Sequence, residues 1–343
     1  MKIPCVYMRG GTSKGCMFLK SDLPQDRDSW DELFLKVMGG PDPKQIDGLG
    51  GTVSSNNKIL IVSKSDQPDI DVEYLVAQVV VGEPVVDYSA NCGNMTSAVG
   101  PFAIDRGLVA AQEPVTRVRM LNLNTSKVIE AYVPTREGLV EEDGDCAIAG
   151  IDGTGAELRI SFLNPAGAKT GRLLPTGQAA DELDITGFGR LTVSAIDISN
   201  IFVFVDCADV GIRGIELPAA LNANKPLMAA LEEIRGKIAV KAGLLDRWED
   251  AATLTAGSPK LVLFAAPADY TDIAGRIVKS GDMDILVRVI SVGAVHKASP
   301  MTGATAIGGA AFIPECVMRR YLDTDALSDS VRIGHPSGVM KVY

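Results

Sequence analysis

Residues 89–100 read SANCGNMTSAVG. The valine-rich segment ahead of them, 72–86, is broken by Pro84 and reads as strands closing on a turn. Behind them, 95–108 carries small and apolar residues at helical spacing and runs out near Gly107, which predicts a helix. Cys92 therefore stands at a strand-to-helix junction. Backbone N–H groups and the helix dipole favour anions at such a place, a thiolate included. Most cysteines are small buried hydrophobes, so the junction alone does not make this one functional.

A second stretch has the same order of parts. Pro300-Met301-Thr302-Gly303 follows a strand-like segment and leads into ATAIGGAA at 304–311. Strand, tight turn and small-residue helix thus occur once in each half. This suggests two related domains, each offering a helix N-terminus to a shared cleft. The apolar runs at 3–8, 59–62, 76–81, 115–123 and 128–133 read as strands of the first half, and those at 191–196, 201–205 and 261–264 as strands of the second. Helices are predicted at 29–38 and 226–243. The expected division is 1–185, carrying Lys58 and Cys92, and 186–343, whose last strand is a candidate to cross back to the first domain.

Composition narrows the function classes. The chain has 343 residues, 46% hydrophobic and 5% aromatic, with 35 glycines, which fits a packed, turn-rich globular protein. A formal net charge of −10 argues against nucleic acid as a partner. The six cysteines (5, 16, 92, 146, 207, 316) are scattered and form no CxxC pair, which suits a reducing compartment. With only His296 and His335, and no Cys/His cluster, no metal site is expected. No apolar run reaches the roughly 20 residues of a membrane span. The expectation is a soluble, cytoplasmic protein with no membrane contact and no cofactor, and a homodimer would fit.

Three further stretches suit chemistry. Met8-Arg-Gly-Gly-Thr-Ser-Lys-Gly15 has the wrong order for a nucleotide phosphate loop, but its residue types suit an oxyanion. Arg9 offers a donor fork, Thr12 and Ser13 hydroxyls, and Lys14 a point charge. The polar loop 44–58 ends with Lys58 at the mouth of an apolar strand. A lysine there is partly desolvated and can serve as a base, although a lysine lying off a strand end is the simpler reading. His335, in VRIGHPSGVM (331–340), lies in a turn-like stretch. A structural histidine is the default, and a cleft-lining role the alternative.

In order along the chain, MRGGTSKG (8–15), PDPKQIDGLGG (41–51), VSKS (62–65), ANCGNMTSAVGPFAIDRGLV (90–109), LLPTG (173–177) and IGHPSGVM (333–340) together resemble the PrpF family over essentially the whole sequence. The resemblance implies a mixed α/β (α+β) fold of two similar diaminopimelate-epimerase-like domains, each a curled, mostly antiparallel sheet around a central helix, with the active site in the cleft between them. It implies a cofactor-independent isomerase acting on a small polycarboxylate such as 3-methylitaconate, 2-methylaconitate, 4-oxalomesaconate or aconitate. Epimerases and racemases of that fold present a cysteine at each helix entrance. Here Cys92 fills the first position and Met301 the second, and a thioether carries no proton.

By the same resemblance Lys58 is the base, although its neighbours Asn56 and Asn57 replace the hydroxyl residues usual in the family. Cys92 is then the second proton carrier or a positioning group. The substrate would meet Arg9, Thr12, Ser13, Lys14, Ser55, Asn56, Gly93, Asn94, Met301, Thr302, Gly303 and His335. The competing readings are an amino-acid racemase of the same fold, which lacks its second thiol here, and a carboxylate-binding protein without chemistry.

Overall fold

The computed structural model describes residues 2–89, 91–322, 327 and 329–343, so Ala90 lies outside the described residues. The chain divides into two compact units, Met1–Pro165 and Ala166–Tyr343.

In the first unit the principal strands are β1 (Val6–Gly10), β2 (Ser13–Leu19), β3 (Lys58–Lys64), β4 (Val72–Val79), β5 (Val115–Asn122), β6 (Lys127–Arg136) and β7 (Arg159–Phe162). They lie in that order in one sheet. Pairs β2–β3 and β4–β5 are parallel, and the rest are antiparallel. Helix α1 (Trp30–Met38) joins β2 to β3, and helix α2 (Gly93–Asp105) joins β4 to β5.

Strand alternation gives each helix its own face of the sheet. Met17, Leu60, Val62, Tyr74, Val76, Val118, Ala131 and Val133 pack on Met95, Ala98, Val99 and Phe102 of α2. Their neighbours Cys16, Phe18, Ile59, Ile61, Leu75 and Ala77 pack on Trp30, Phe34 and Met38 of α1. Every residue of α2 from Gly93 to Ile104 is buried, as expected of a helix wrapped by a curled sheet. The small residues make the fit possible. A Cβ at Gly100 would lie 2.9 Å from Val133 and 3.0 Å from Ala131. Each large apolar side chain in this interior is worth about 1.5–3 kcal/mol.

The second unit repeats the plan. Its strands are β8 (Asp181–Ile185), β9 (Gly189–Ile198), β10 (Asn200–Asp206), β11 (Lys260–Ala265), β12 (Ile285–Ser291), β13 (Val331–His335) and β14 (Gly338–Val342), again in sequential order. From β9 to β14 the senses run antiparallel, parallel, antiparallel, parallel, antiparallel, as they do from β1 to β6. Helix α3 (Lys225–Lys241) packs on one face through Leu227, Leu231, Ile234 and Ile238. Helix α4 (Met301–Ala310) packs on the other through Ala304, Ile307 and Ala310. This shared order of six strands and two crossover helices supports the internal duplication far better than the short sequence echo does.

Three expectations change. The boundary falls at Pro165/Ala166, not at 185/186, because Asp181–Ile185 pairs with β9. The last strand stays in the second unit, where β14 pairs with β13 and β13 with β12. Helix α2 starts at Gly93, earlier than the expected residue 95, so Gly93 and Asn94 belong to its first turn. Among the described residues no helix is long and apolar enough to cross a membrane.

Candidate active site

Cys92 is the N-cap of α2, with extended backbone (φ −111°, ψ 96°), and its carbonyl accepts the first helical bond, from Thr96 N at 2.9 Å. Its side chain caps nothing. Helix α3, by contrast, has a proper cap, Asn224 Oδ1 accepting from Leu227 N at 3.2 Å. The scaffold helix is thus closed by a side chain, while α2 has no side-chain cap among the described residues.

A buried polar network holds the cysteine segment. Thr96 Oγ1 lies 2.8 Å from Tyr74 Oη and 3.0 Å from the Cys92 carbonyl. Asn122 Nδ2 donates to Asn91 Oδ1 at 3.2 Å, and Asn124 Nδ2 to the Tyr88 carbonyl at 3.0 Å. Burial raises the Tyr74 phenol, which stays neutral and serves as a fixed donor. The sequence reading missed Asn91, Asn122, Asn124 and Tyr74. Their one signal was the Asn-Leu-Asn run at 122–124, which looks like ordinary loop chemistry.

The β1–β2 turn folds against the same helix end. A Cβ on Gly10 would lie 2.5 Å from the Asn94 carbonyl, so only glycine permits this approach. Asn94 Nδ2 donates to Thr12 Oγ1 at 2.8 Å and to Ser13 Oγ at 3.3 Å. Both oxygens therefore accept from the protein and keep their O–H groups as donors. Arg9 and Lys14 do not join them. They are cross-strand partners, both exposed, on the face opposite Gly10; Arg9 Nη1 donates to the Gly11 carbonyl at 3.0 Å, and Lys14 Nζ lies 5.5 Å from the Tyr7 ring. Strand alternation splits the expected oxyanion set in two.

Lys58, half-buried, opens β3 on the face that carries Leu60 and Val62, the α2 face. Its Nζ donates to Gln78 Oε1 on β4. Gln78 Nε2 is tied to the carbonyls of Asn57 (3.1 Å) and Val79 (2.8 Å), so the amide presents its oxygen to the lysine. The amine is thus oriented by an uncharged acceptor. Gln78 was also missed by the sequence reading. Of the preceding residues, Asn57 is fully buried and fastens the loop through Gly51 O (2.5 Å) and Val53 O (2.8 Å). Ser55 and Asn56 are half-buried in a short 3₁₀ turn, with Ser55 Oγ 3.4 Å from Asn56 Oδ1.

In the second unit, the helix entrance matching Cys92 is Pro300, the N-cap of α4, whose carbonyl accepts from Ala304 N at 2.9 Å. Met301 matches Gly93, one step later than expected. The proton-transfer conclusion is unchanged, since neither Pro300 nor Met301 carries a thiol. Thr302 and Gly303 follow in the first turn. Cys16 and Cys207 are buried and pushed up to about 12 by burial, and burial also raises Cys316, so all three are inert.

His335 is not in a turn. It ends β13 at 2% exposure, with Ser337 N donating to its Nδ1 at 3.2 Å and Tyr270 Oη donating to its carbonyl at 2.5 Å. Burial, with Arg288 nearby, pushes the imidazole down to about 4. It is a core residue of the last hairpin.

The architecture and the uncapped thiol-bearing helix define a protein of the racemase/epimerase-like fold. A probable proline racemase from Agrobacterium radiobacter shares that fold at 12% identity (TM-score 0.55, covering 97% of this chain and 83% of that one). The family is narrower. The whole chain, 1–343, matches the family described as PrpF protein, and the chain belongs to it. It is 41% identical to a 3-methylitaconate isomerase of Eubacterium barkeri, covering all of this chain and 90% of that one. It is 40% identical to a 2-methyl-aconitate isomerase of Shewanella oneidensis (100% and 89%) and to a (4E)-oxalomesaconate Delta-isomerase of Novosphingobium sp. (98% and 88%). The crystal structure of a methylitaconate-delta-isomerase superposes with a TM-score of 0.81 at 41% identity, covering 100% and 88%.

Proposed function

We propose that the protein is an isomerase that moves a carbon–carbon double bond by a 1,3-proton shift in an unsaturated di- or tricarboxylate of the methylitaconate, methylaconitate, oxalomesaconate or aconitate type. The observation that carries this reading is the shared placement of Lys58 and Cys92: the amine, steered by Gln78, lies on the sheet face that packs on α2, and the thiol sits at the uncapped start of that helix. The relatives' activities support it.

The reaction needs a base for a weak carbon acid and donors for the charge that develops. Lys58, as free amine, removes a proton from the carbon next to the double bond. The C–H electron pair enters the π system and spreads into a carboxylate or keto group. A proton returned to the far end of the allyl unit, from Lys58 or from Cys92, completes the shift. Rotation within the delocalised intermediate would give cis–trans isomerisation from the same residues. The α2 amides and the O–H groups of Thr12 and Ser13 supply donors for the charged oxygens. A placed acid–base group contributes about 10²–10⁴-fold, and fixed donors often contribute more.

The test is to incubate the purified protein with cis- and trans-aconitate, 2-methylaconitate, 3-methylitaconate and 4-oxalomesaconate and to follow double-bond position by proton NMR. One acid is expected to isomerise. If none does, while Cys92→Ser and the parent behave alike, the reading fails.

A further inference from the structure

Between α1 and β3 the chain is laced to the end of the helix. Leu49 N donates to the Val37 carbonyl at 2.8 Å, and Gly50 N to the Met38 carbonyl at 3.2 Å. Asp42 closes the turn ahead of them. Its carboxylate accepts from Lys44 N at 2.9 Å and Ile46 N at 3.3 Å, and its carbonyl from Gln45 N at 3.0 Å. Gln45 turns inward from this turn. It has left-handed backbone (φ 52°), is 2% exposed, and neither end of its side-chain amide has a hydrogen-bond partner. A glutamine that is left-handed, buried and unpaired is unfavourable on three counts. Such a residue persists where its surroundings or its function require it.

The Gln45 amide shares its place with Asn57. A Cβ on Gly50 would collide with both Gln45 Oε1 and Asn57 Oδ1, so the glycine lets two side-chain amides converge on one backbone position. The two ends of a glutamine amide are nearly alike in shape, and half a turn brings the NH₂ group of Gln45 to the side of Asn57 Oδ1. Asn57 Oδ1 already accepts from Gly51 N at 3.2 Å, and a carbonyl oxygen has room for a second donor. The main-chain carbonyl of Asn57 accepts from Val79 N and from Gln78 Nε2, each at 3.1 Å. The other end of that Gln78 amide receives Lys58 Nζ. Contacts therefore run from Gln45 through Asn57 and Gln78 to the amine, and Asn57 is also the residue whose peptide bond leads into Lys58.

We propose that Gln45 and Asn57 are positioning residues for Lys58. The Gln45 amide, half-turned, donates to Asn57 Oδ1; Asn57 fixes the peptide ahead of Lys58 and holds Gln78; Gln78 aims the amine. This rests on the reading of Lys58 as the base. The relay explains why an amide is kept where an apolar side chain of the same length would fit without leaving a polar atom unpaired.

Gln45→Met is the deciding variant, because methionine fills similar space with no polar end. Were the amide only filler, the exchange would leave stability equal or raised and turnover unchanged. The relay predicts a urea midpoint near that of the parent, kcat lowered about tenfold and KM little changed. Asn57→Ala, which cuts the relay nearer the amine, lowers kcat further. A second readout needs no substrate. The intact protein is acylated briefly with acetic anhydride, and modification of Lys58 is followed by peptide mass spectrometry relative to the exposed Lys20. Release of the amine from Gln78 raises relative modification of Lys58 several-fold in both variants. The relay is overturned if Gln45→Met keeps the parent's kcat or modifies Lys58 at the parent's rate, whether or not Asn57→Ala folds. If no acid is isomerised by the parent while Lys58 modification rises in Gln45→Met, the relay stands and the isomerase reading fails. If an acid is isomerised and Gln45→Met matches the parent in both readouts, the isomerase reading stands and the relay fails.

Discussion

Gln78 Oε1 accepts the hydrogen bond of Lys58 Nζ, and two backbone carbonyls hold the Gln78 amide nitrogen so that it cannot turn away. An uncharged acceptor thus steers the amine. Gln78→Glu adds a charge that favours the ammonium form. We expect the pH at which turnover rises to move upward in Gln78→Glu. Gln78→Leu should lower kcat without that displacement. A pH–rate profile of the three proteins checks both; an unmoved profile in Gln78→Glu would remove Gln78 from the account.

Gly15 makes room for Lys58. A Cβ at position 15 would collide with the Lys58 carbonyl oxygen and lie 2.8 Å from Lys58 Cβ. Gly15→Ala must push β2 and β3 apart at the base. We expect about 1–3 kcal/mol of destabilisation in urea unfolding, with a fall in kcat larger than the change in KM.

Of the residues in the first glycine loop, only those turned toward α2 should matter to the substrate. Asn94→Ala removes the donor that holds Thr12 and Ser13 and should raise KM about tenfold, in line with the loss of one or two hydrogen bonds. Arg9→Ala and Lys14→Ala, on the opposite strand face, should leave KM within about threefold, the span of a surface ion-pair effect. Steady-state kinetics on the three variants decides it.

His335 should act on stability and not on turnover. Its folded-state value is lowered to about 4 from an ordinary 6.5, chiefly by burial. Between those values the unfolded chain binds the proton and the folded chain does not, so stability falls as pH drops from about 6.5 toward 4. The loss is on the order of 3 kcal/mol. Arg288 and Asp272 face the imidazole and share its environment. His335→Gln should show a shallower acid limb in urea unfolding at pH 7, 6, 5 and 4, with kcat near that of the parent.

Local signals in the sequence placed most of the framework. Cys92 at a strand-to-helix junction, Lys58 at the mouth of an apolar strand and the paired small-residue helices were all legible, because they depend on neighbours in the chain. What was not legible depends on pairing across the fold. Gln78 meets Lys58 through strand register, and Asn94 reaches Thr12 and Ser13 from some 80 residues further along the chain. The β1–β2 hairpin sends Arg9 and Lys14 to one face and Ser13 to the other, a division that one-residue alternation decides and residue type does not reveal. The small-residue character of 300–303 hid a one-residue offset, so the cap of α4 is Pro300 rather than Met301. The boundary near 165 was missed because Asp181–Ile185 pairs forward, with β9.

We expect Lys58 to move a proton between substrate carbon and solvent-exchangeable sites while Cys92 assists from the start of α2. The most direct measurement is deuterium incorporation in D₂O, read by proton NMR, for the parent, Lys58→Ala and Cys92→Ser with the acid the parent isomerises. Deuterium is expected to enter the allylic position in the parent; Lys58→Ala should abolish both exchange and isomerisation, with a loss of at least about 10²-fold, and Cys92→Ser should slow them. Exchange and isomerisation in Lys58→Ala at the parent's rate would contradict it.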